Sequence, residues 1–450
     1  MFQTIVNAWK IADLRKKIIY TCLIVLIFRI GSAIPVPFTD IGEAGIISDP
    51  NAGTFMNYLT MMTGNAFNYG TIFAMSITPY INSSIIMQLL AVAIPALERL
   101  QKEGEEGRKK IATITRFVTI GLGLLQSTAY FFYLRSNGNL VKAADGTNFT
   151  GFYAVFEAVV IIACFTAGTA LIMWLGERIN EKGIGNGISI ILFAGIVSRI
   201  PTLMAQLYGS KTGYIKNGGA YYVLTPVVGI ILILMIAFIV WMDNAERRIP
   251  IQYAKRVVGR KMYGGQNTHM PIKVNMSGVM PVIFASSILS LPPTIQMFIN
   301  VEEGSGWEKF FNLFTSDHWA YAIIYFVFII AFAYFYSSIQ YNPIEMSKNI
   351  RENGGSIPGI RPGEPTARYI GKIINRITLL GALLLSVVAL FPIVFSQVST
   401  FALQKANPNS PGLNVSLGGT SIIILVGVAL ETVKQLESQM MMRHYKGFLD

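Results

Sequence analysis

The chain has 450 residues, 52% of them hydrophobic and only 13% charged, and 36 Lys+Arg against 24 Asp+Glu give a net charge of +12. Mean hydropathy is +0.50. The charge share is about half of what a soluble domain carries, and so apolar a chain would collapse rather than stay disordered, which leaves a polytopic membrane protein.

A helix needs about 20 mostly apolar residues to cross the hydrocarbon core. Ten segments are expected to do so: 18–36, 72–97, 117–134, 153–176, 188–197 with its flanks, 221–242, 274–299, 319–341, 377–401 and 413–430. The first follows Arg15, Lys16 and Lys17, and Gly31-Ser32-Ala33 has the small residues of a signal-peptide cleavage site. Arg29 interrupts its apolar run, so it reads as a retained helix. Residues 54–97 contain no charge and are too long for one straight helix, with breaks at Gly64, Gly70 and Pro79. Their front part, 54–69, reads as a short helix that enters from outside and turns back, or else as an external loop. Irregular backbone at membrane depth requires protein or water around it, so the first alternative points to an interior cavity. The segment 98–116 mixes charge signs and reads as a tight solvated turn. The fifth span is the weakest, starting in Gly183-Ile184-Gly185-Asn186-Gly187 and ending at Arg199.

Two connections exceed the usual few residues. Segment 243–273 reads as a hairpin: Ile249 to Ala254 is strand-like, Lys255, Arg256, Arg260 and Lys261 follow, Gly264-Gly265 supplies the turn, and Met270 to Lys273 returns. Segment 342–376 carries Pro358-Gly359-Ile360-Arg361-Pro362-Gly363, in which proline and glycine build a rigid tip that presents Arg361. A guanidinium so held suits a carboxylate or phosphate partner. Docking of a macromolecule and rest against anionic lipid headgroups are the two readings.

With ten spans, one side of the membrane holds both termini and 28 Lys+Arg, and the other holds seven. Lys and Arg are retained in the cytoplasm, so both termini face it. Net charge is then +13 on that side and −1 outside. The second span holds Pro79-Tyr80-Ile81-Asn82-Ser83-Ser84-Ile85, and the seventh holds Pro281-Val282-Ile283-Phe284-Ala285-Ser286-Ser287-Ile288. These are the second positions of two five-span halves, which an odd span count would invert relative to one another. Gln88, Asn186 and Asn275 sit at or near span ends, as hydrogen-bonding glue or as a seam that opens. Arg29 and Glu157 are the charges within spans, and no role follows for either. Cys22 and Cys164 lie in apolar runs, and His269, His318 and His444 are scattered, so neither a disulfide framework nor a metal site is expected.

Lys102-Glu103-Gly104-Glu105-Glu106-Gly107-Arg108, Trp174-Leu175-Gly176-Glu177, Gly183-Ile184-Gly185-Asn186-Gly187-Ile188-Ser189, Tyr253-Ala254-Lys255-Arg256 with Gly259-Arg260, Lys273-Val274-Asn275-Met276-Ser277-Gly278 and the 358–363 tip occur in this order. Together they resemble the SecY family, the channel subunits of the bacterial protein translocase. The resemblance implies an all-α membrane protein of ten helices in two inverted five-helix halves, 1–200 and 201–450, around an hourglass pore. It implies an apolar constriction ring at Ile77, Ile81, Ile188, Leu192, Ile283 and Ile424, with Leu192 standing where isoleucine is most common. It implies a plug at about 54–69, and a lateral gate between spans two and three and spans seven and eight with Gln88 and Asn275 near the seam. Lys255, Arg256, Arg260, Lys261 and Arg361 would dock the SecA motor or the ribosome. The implied partners also include the small membrane subunits SecE and SecG, signal peptides, nascent chains and membrane lipid. The implied location is the bacterial cytoplasmic membrane. No enzymatic activity and no cofactor are implied.

A secondary transporter also uses inverted repeats and broken helices, but it usually places ionisable groups at the midplane, and Glu157 is the only acidic residue within a span. An intramembrane enzyme lacks a His/Asp/Glu, paired-aspartate or Ser-Lys constellation here, and no P-loop is present to supply energy.

Overall fold

The computed structural model describes residues 2–41, 45, 60, 63–136, 138–141, 151–208, 221–253, 256–258, 261–263, 267–289, 291–296, 306–314, 319–406 and 419–446. In chain order the first part holds α1 (Phe2–Lys10), α2 (Ala12–Gly31), α3 (Thr78–Ala93), α4 (Pro95–Lys102), α5 (Glu105–Ser136), α6 (Phe152–Lys182), α7 (Gly187–Val197) and α8 (Ile200–Tyr208). Then come α9 (Tyr221–Asn244), β1 (Glu246–Tyr253), β2 (Arg256–Val258), β3 (Lys261–Tyr263), β4 (Asn267–Lys273), α10 (Met280–Leu289), α11 (Leu291–Gln296) and α12 (Gly306–Asn312). The last are α13 (Trp319–Gln340), α14 (Pro343–Glu352), β5 (Gly355–Ser356), α15 (Glu364–Ala406) and α16 (Gly419–Lys446).

The chain is mostly helical, and each of the ten expected spans overlaps a helix. Among the described residues, however, six helices are long and apolar enough to cross a membrane, or seven if the bent pair α3–α4 is one span. The other three segments fall short for separate reasons. Helix α2 begins among charges, with Asp13, Arg15, Lys16 and Lys17 in its first turns and Arg29 in its last. Helix α7 has 11 residues and α10 has ten. Span seven was expected from residue 274, but residues 274–279 are bends and turns, with Gly278 at φ +60°. Span two was expected from residue 72, yet the helix starts at Thr78 because 72–77 forms turns and Ser76 takes φ +49°.

Pro95 explains the bend between α3 and α4. Its ring disfavours helical backbone at Ile94, which is extended at φ −107° and ψ 115°, and its missing N–H suits the first turn of a new helix. The two axes differ by 106°. The expected solvated turn at 98–116 is thus mostly helix, from α4 and the first turns of α5, with the reversal confined to Glu103–Gly104. Helix α7 is started by Asn186, whose Oδ1 accepts the Ile188 N–H at 3.1 Å. Helices α6 and α7 meet closely because Gly187 has no side chain to strike the Gly176 carbonyl.

Packing in the first five spans recurs in the last five. Helices α3, α5 and α6 pack in sequence, and α2 and α7 both lie against α6 and against one another. In the same way α10, α13 and α15 pack in sequence, while α9 and α16 both lie against α15 and against one another. The two sets touch where α3 meets α10 and where α7 meets α16.

The long connections add a small sheet to the otherwise helical chain. Strands β4, β1 and β5 lie side by side in that order, all antiparallel. Register pairs Ile251 with Thr268 and Gln252 with both Asn267 and Ser356. The hairpin expected in 243–273 is present in β1 and β4, and its expected turn at Gly264-Gly265 lies outside the described residues. An inner ladder pairs Arg256 with Tyr263 and Val258 with Lys261. The second connection contains helix α14, capped by Asn342 Oδ1 on the Ile344 N–H at 3.1 Å, before it reaches the tip. Ile249, Ile251, Ile272, Met276, Ile350, Ile357, Ile370 and Ile374 form the core beneath this sheet.

Candidate functional site

Five of the six ring candidates are buried in one hydrophobic cluster: Ile77, Ile81, Leu192, Ile283 and Ile424. The sixth, Ile188, is partly buried and packs against it. They arrive from α3 and the residue before it, from α7, from α10 and from α16, so both sets of five spans contribute. The cluster contains many other side chains, and nothing in burial alone separates these six from the rest. Their chemistry is uniformly aliphatic.

Helices α3 and α10 face one another across the line between the two sets. Gln88 is half-buried on α3, and its Nε2 lies 3.5 Å from Ser84 Oγ one turn earlier. Asn275 lies just before α10, is buried, and donates from Nδ2 to Asp243 Oδ1 at 2.7 Å. The structure therefore does not bring Gln88 and Asn275 into a mutual bond. Each is tied within its own set of helices. Asp243 was missed in the sequence because it ends an apolar run and belongs to no motif.

Of the expected plug, residues 54–59, 61 and 62 lie outside the described residues. Residues 63–70 form consecutive turns rather than a helix. Asn65 N–H donates to the Thr60 carbonyl at 3.0 Å, and Phe67 N–H to Thr63 Oγ1 at 3.1 Å. Gly64 sits at φ +63°, and a Cβ there would meet Ser198 Oγ at 2.6 Å and the Gly195 carbonyl at 2.9 Å. The turn series is thus seated against the end of α7. On α6, Glu157 is buried with Oε1 unbonded.

In the sheet region Arg361 is exposed and flanked by Gly359 at φ +80° and Gly363 at φ +104°, the left-handed backbone that glycine tolerates. The turn is held from both sides. Ser347 Oγ donates to the Gly363 carbonyl at 2.7 Å, and Thr366 Oγ1 donates to the Arg361 carbonyl at 2.8 Å. Arg256 and Lys261 lie on β2 and β3. Lys255 and Arg260 lie outside the described residues. What sequence reading missed is that the two connections are one unit. Strand β5 adds to β1, and Gly355 lets it approach, since a Cβ there would meet Ile251, Tyr253 and Ile350 at 3.0–3.2 Å. The only sequence signal was the Gly354-Gly355 pair.

The family model described as SecY matches residues 71–433. The "Protein translocase subunit SecY" of Streptomyces galbus is 42% identical over 454 residues and covers all of both chains. That of Mycobacterium bovis is 41% identical over 462 residues, again covering all of both chains. Among solved structures, "The structure of a protein conducting channel" is similar at a TM-score of 0.59 and 18% identity, covering 94% of this chain and 92% of that one. "Sec61 in the Canine ribosome-channel complex from the endoplasmic reticulum" is similar at a TM-score of 0.54 and 17% identity, over 94% and 92% of the two chains. With its motifs in order, its packing repeated between two sets of spans and its full length shared with translocase subunits, the chain belongs to the SecY family.

Proposed function

We propose that this chain is the protein-conducting channel of a Sec translocase, passing unfolded secretory polypeptides across the cytoplasmic membrane of a bacterium and releasing transmembrane segments sideways into lipid. Full-length identity to SecY translocase subunits carries this reading. A secondary transporter has no comparable support.

The halves 1–200 and 201–450 act as two inverted five-helix shells, which the recurrent packing pattern supports. Ile77, Ile81, Ile188, Leu192, Ile283 and Ile424 form the ring that seals the resting pore around nothing and the working pore around a chain. Spans two and three and spans seven and eight part to form the gate, with Gln88 and Asn275 beside it. Residues 54–69 are the plug. Both termini and the sheet face the cytoplasm. There Lys255, Arg256, Arg260, Lys261 and Arg361 dock SecA or the ribosome, whose RNA is a polyanion. SecE and SecG complete the membrane complex. The channel does no chemistry of its own and takes its energy from the docked partner.

The experiment that tests the pore assignment is crosslinking. A stalled secretory chain carrying a photoreactive residue should label Ile81 and Ile283 and should spare lipid-facing Val227 and Ile233, which are exposed on α9. Labelling of the α9 face in place of the ring would remove the assignment.

A further inference from the structure

Tyr130 lies on α5 and is 1% exposed. Its hydroxyl donates to the Phe67 carbonyl oxygen. The same oxygen accepts the Gly70 N–H at 3.3 Å, so both of its lone pairs are used. The Tyr130 ring lies 4.4 Å from the Phe67 ring and 5.1 Å from Phe165 of α6. Val36, Ala74, Met75, Phe131, Leu134, Leu140 and Ile161 complete this apolar cluster, which is separate from the one that holds the ring candidates.

A phenol in such a cluster costs free energy unless its O–H finds an acceptor, and phenylalanine would fill the same space without that cost. What tyrosine adds is the bond to Phe67. The bonded backbone belongs to the turn series 63–70, which is closed on itself by Thr71 N–H to the Ala66 carbonyl at 3.1 Å and joined to the chain before α3 by Val36 N–H to the Gly70 carbonyl at 3.1 Å. This series therefore has two seats, Tyr130 on α5 and the α7 end beneath Gly64.

We infer that Tyr130 is a positioning residue whose hydroxyl holds residues 63–70 in their seat and so keeps the resting channel closed. The inference rests on the reading of 54–69 as the plug. On it, residues 63–70 are the root of the plug, and the bond to Phe67 sets the balance between seated and displaced forms.

The test uses the assembled channel complex reconstituted into liposomes, with resting ion leak as the readout. Tyr130→Phe keeps the ring and removes the donor. Loss of one such bond is expected to raise the displaced population, and with it the leak, by about tenfold. A second readout is a single cysteine at Ala66, which is 1% exposed, with Cys22 and Cys164 replaced by alanine. Its labelling by a membrane-impermeant maleimide should accelerate by a similar factor in Tyr130→Phe. Gly64→Val serves as the comparison, because its side chain collides with the α7 end whatever residue 130 is. Raised leak and labelling in Tyr130→Phe, with unchanged assembly and melting temperature, support the inference. A leaky Gly64→Val beside a tight, slowly labelled Tyr130→Phe overturns the role of Tyr130 and leaves the plug reading standing. Tight channels in both variants overturn the plug reading and the inference with it. A lowered melting temperature in Tyr130→Phe without change in leak assigns Tyr130 to folding alone and also overturns the inference.

Discussion

Asn275 Nδ2 and Asp243 Oδ1 lie 2.7 Å apart, and this bond joins the end of α9 to the segment that leads into α10. The backbone bond from Val274 N–H to the Ala245 carbonyl, 2.8 Å, lies directly beside it. Together they clasp the base of the β1–β4 hairpin. Asn275 Oδ1 is itself buried with no partner, so the amide has one strong contact and is sensitive to its loss.

Asp243→Ala is expected to free Asn275 and loosen the start of α10. A charge-assisted bond contributes about 1.5–3 kcal/mol, so on the proposed gate its loss would shift the balance toward the open form by roughly tenfold or more. Export of a reporter with a weakened signal sequence should rise in this variant. Unchanged export of that reporter, with normal amounts of channel, would show that the bond does not restrain the gate.

Arg361→Glu should abolish most motor-driven export while leaving the channel folded. The Arg361 side chain is exposed and the turn is held by backbone carbonyls to Ser347 and Thr366, so reversal of the charge leaves those bonds intact. The check is export by purified components together with the melting temperature. Ribosome binding to the wild-type channel should also weaken as salt rises, because contacts to a polyanion release counterions.

Replacement of Ile81, Ile283 and Ile424 by serine should raise the resting ion leak by at least tenfold, since hydroxyls wet a constriction that apolar groups keep dry. Conductance across planar bilayers measures it. A channel that stays electrically silent after all three changes would argue against the ring.

Gly168→Ala tests packing rather than transport. A Cβ at Gly168 on α6 would collide with the Ile72 carbonyl in the turns before α3. Overpacking of this kind costs about 1–3 kcal/mol. A lower melting temperature in detergent is expected, whereas the same change at Gly121, which has open space around it, should leave melting unaltered.

Much of the helical architecture was legible because apolar runs are long and redundant signals, and they located the helices. The strand character of Ile249 to Tyr253 likewise announced β1. Features made by single residues were less visible. Pro95 was readable as a breaker, but the apolar run around it masked a 106° bend. Strand β5 has two residues and no periodicity, so its pairing with Gln252 and Tyr253, about 100 residues away, left no local trace. Tyr130 was hidden because an aromatic side chain within an apolar run reads as core, and only the position of the Phe67 carbonyl gives its hydroxyl a purpose. The ring candidates were the opposite case: their identity came from the family motifs, because isoleucine in an apolar helix has no distinguishing pattern.

Two paired residues, Gln252 with Ser356 and Tyr253 with Gly355, stitch the second long connection onto the first. The core under the stitch also includes Met276, just before α10, and Ile370 and Ile374 of α15. A force applied at either tip is therefore shared. Because one core joins the sheet to the segment before α10 and to α15, a load on β1 and a load on β5 bear on the same two spans.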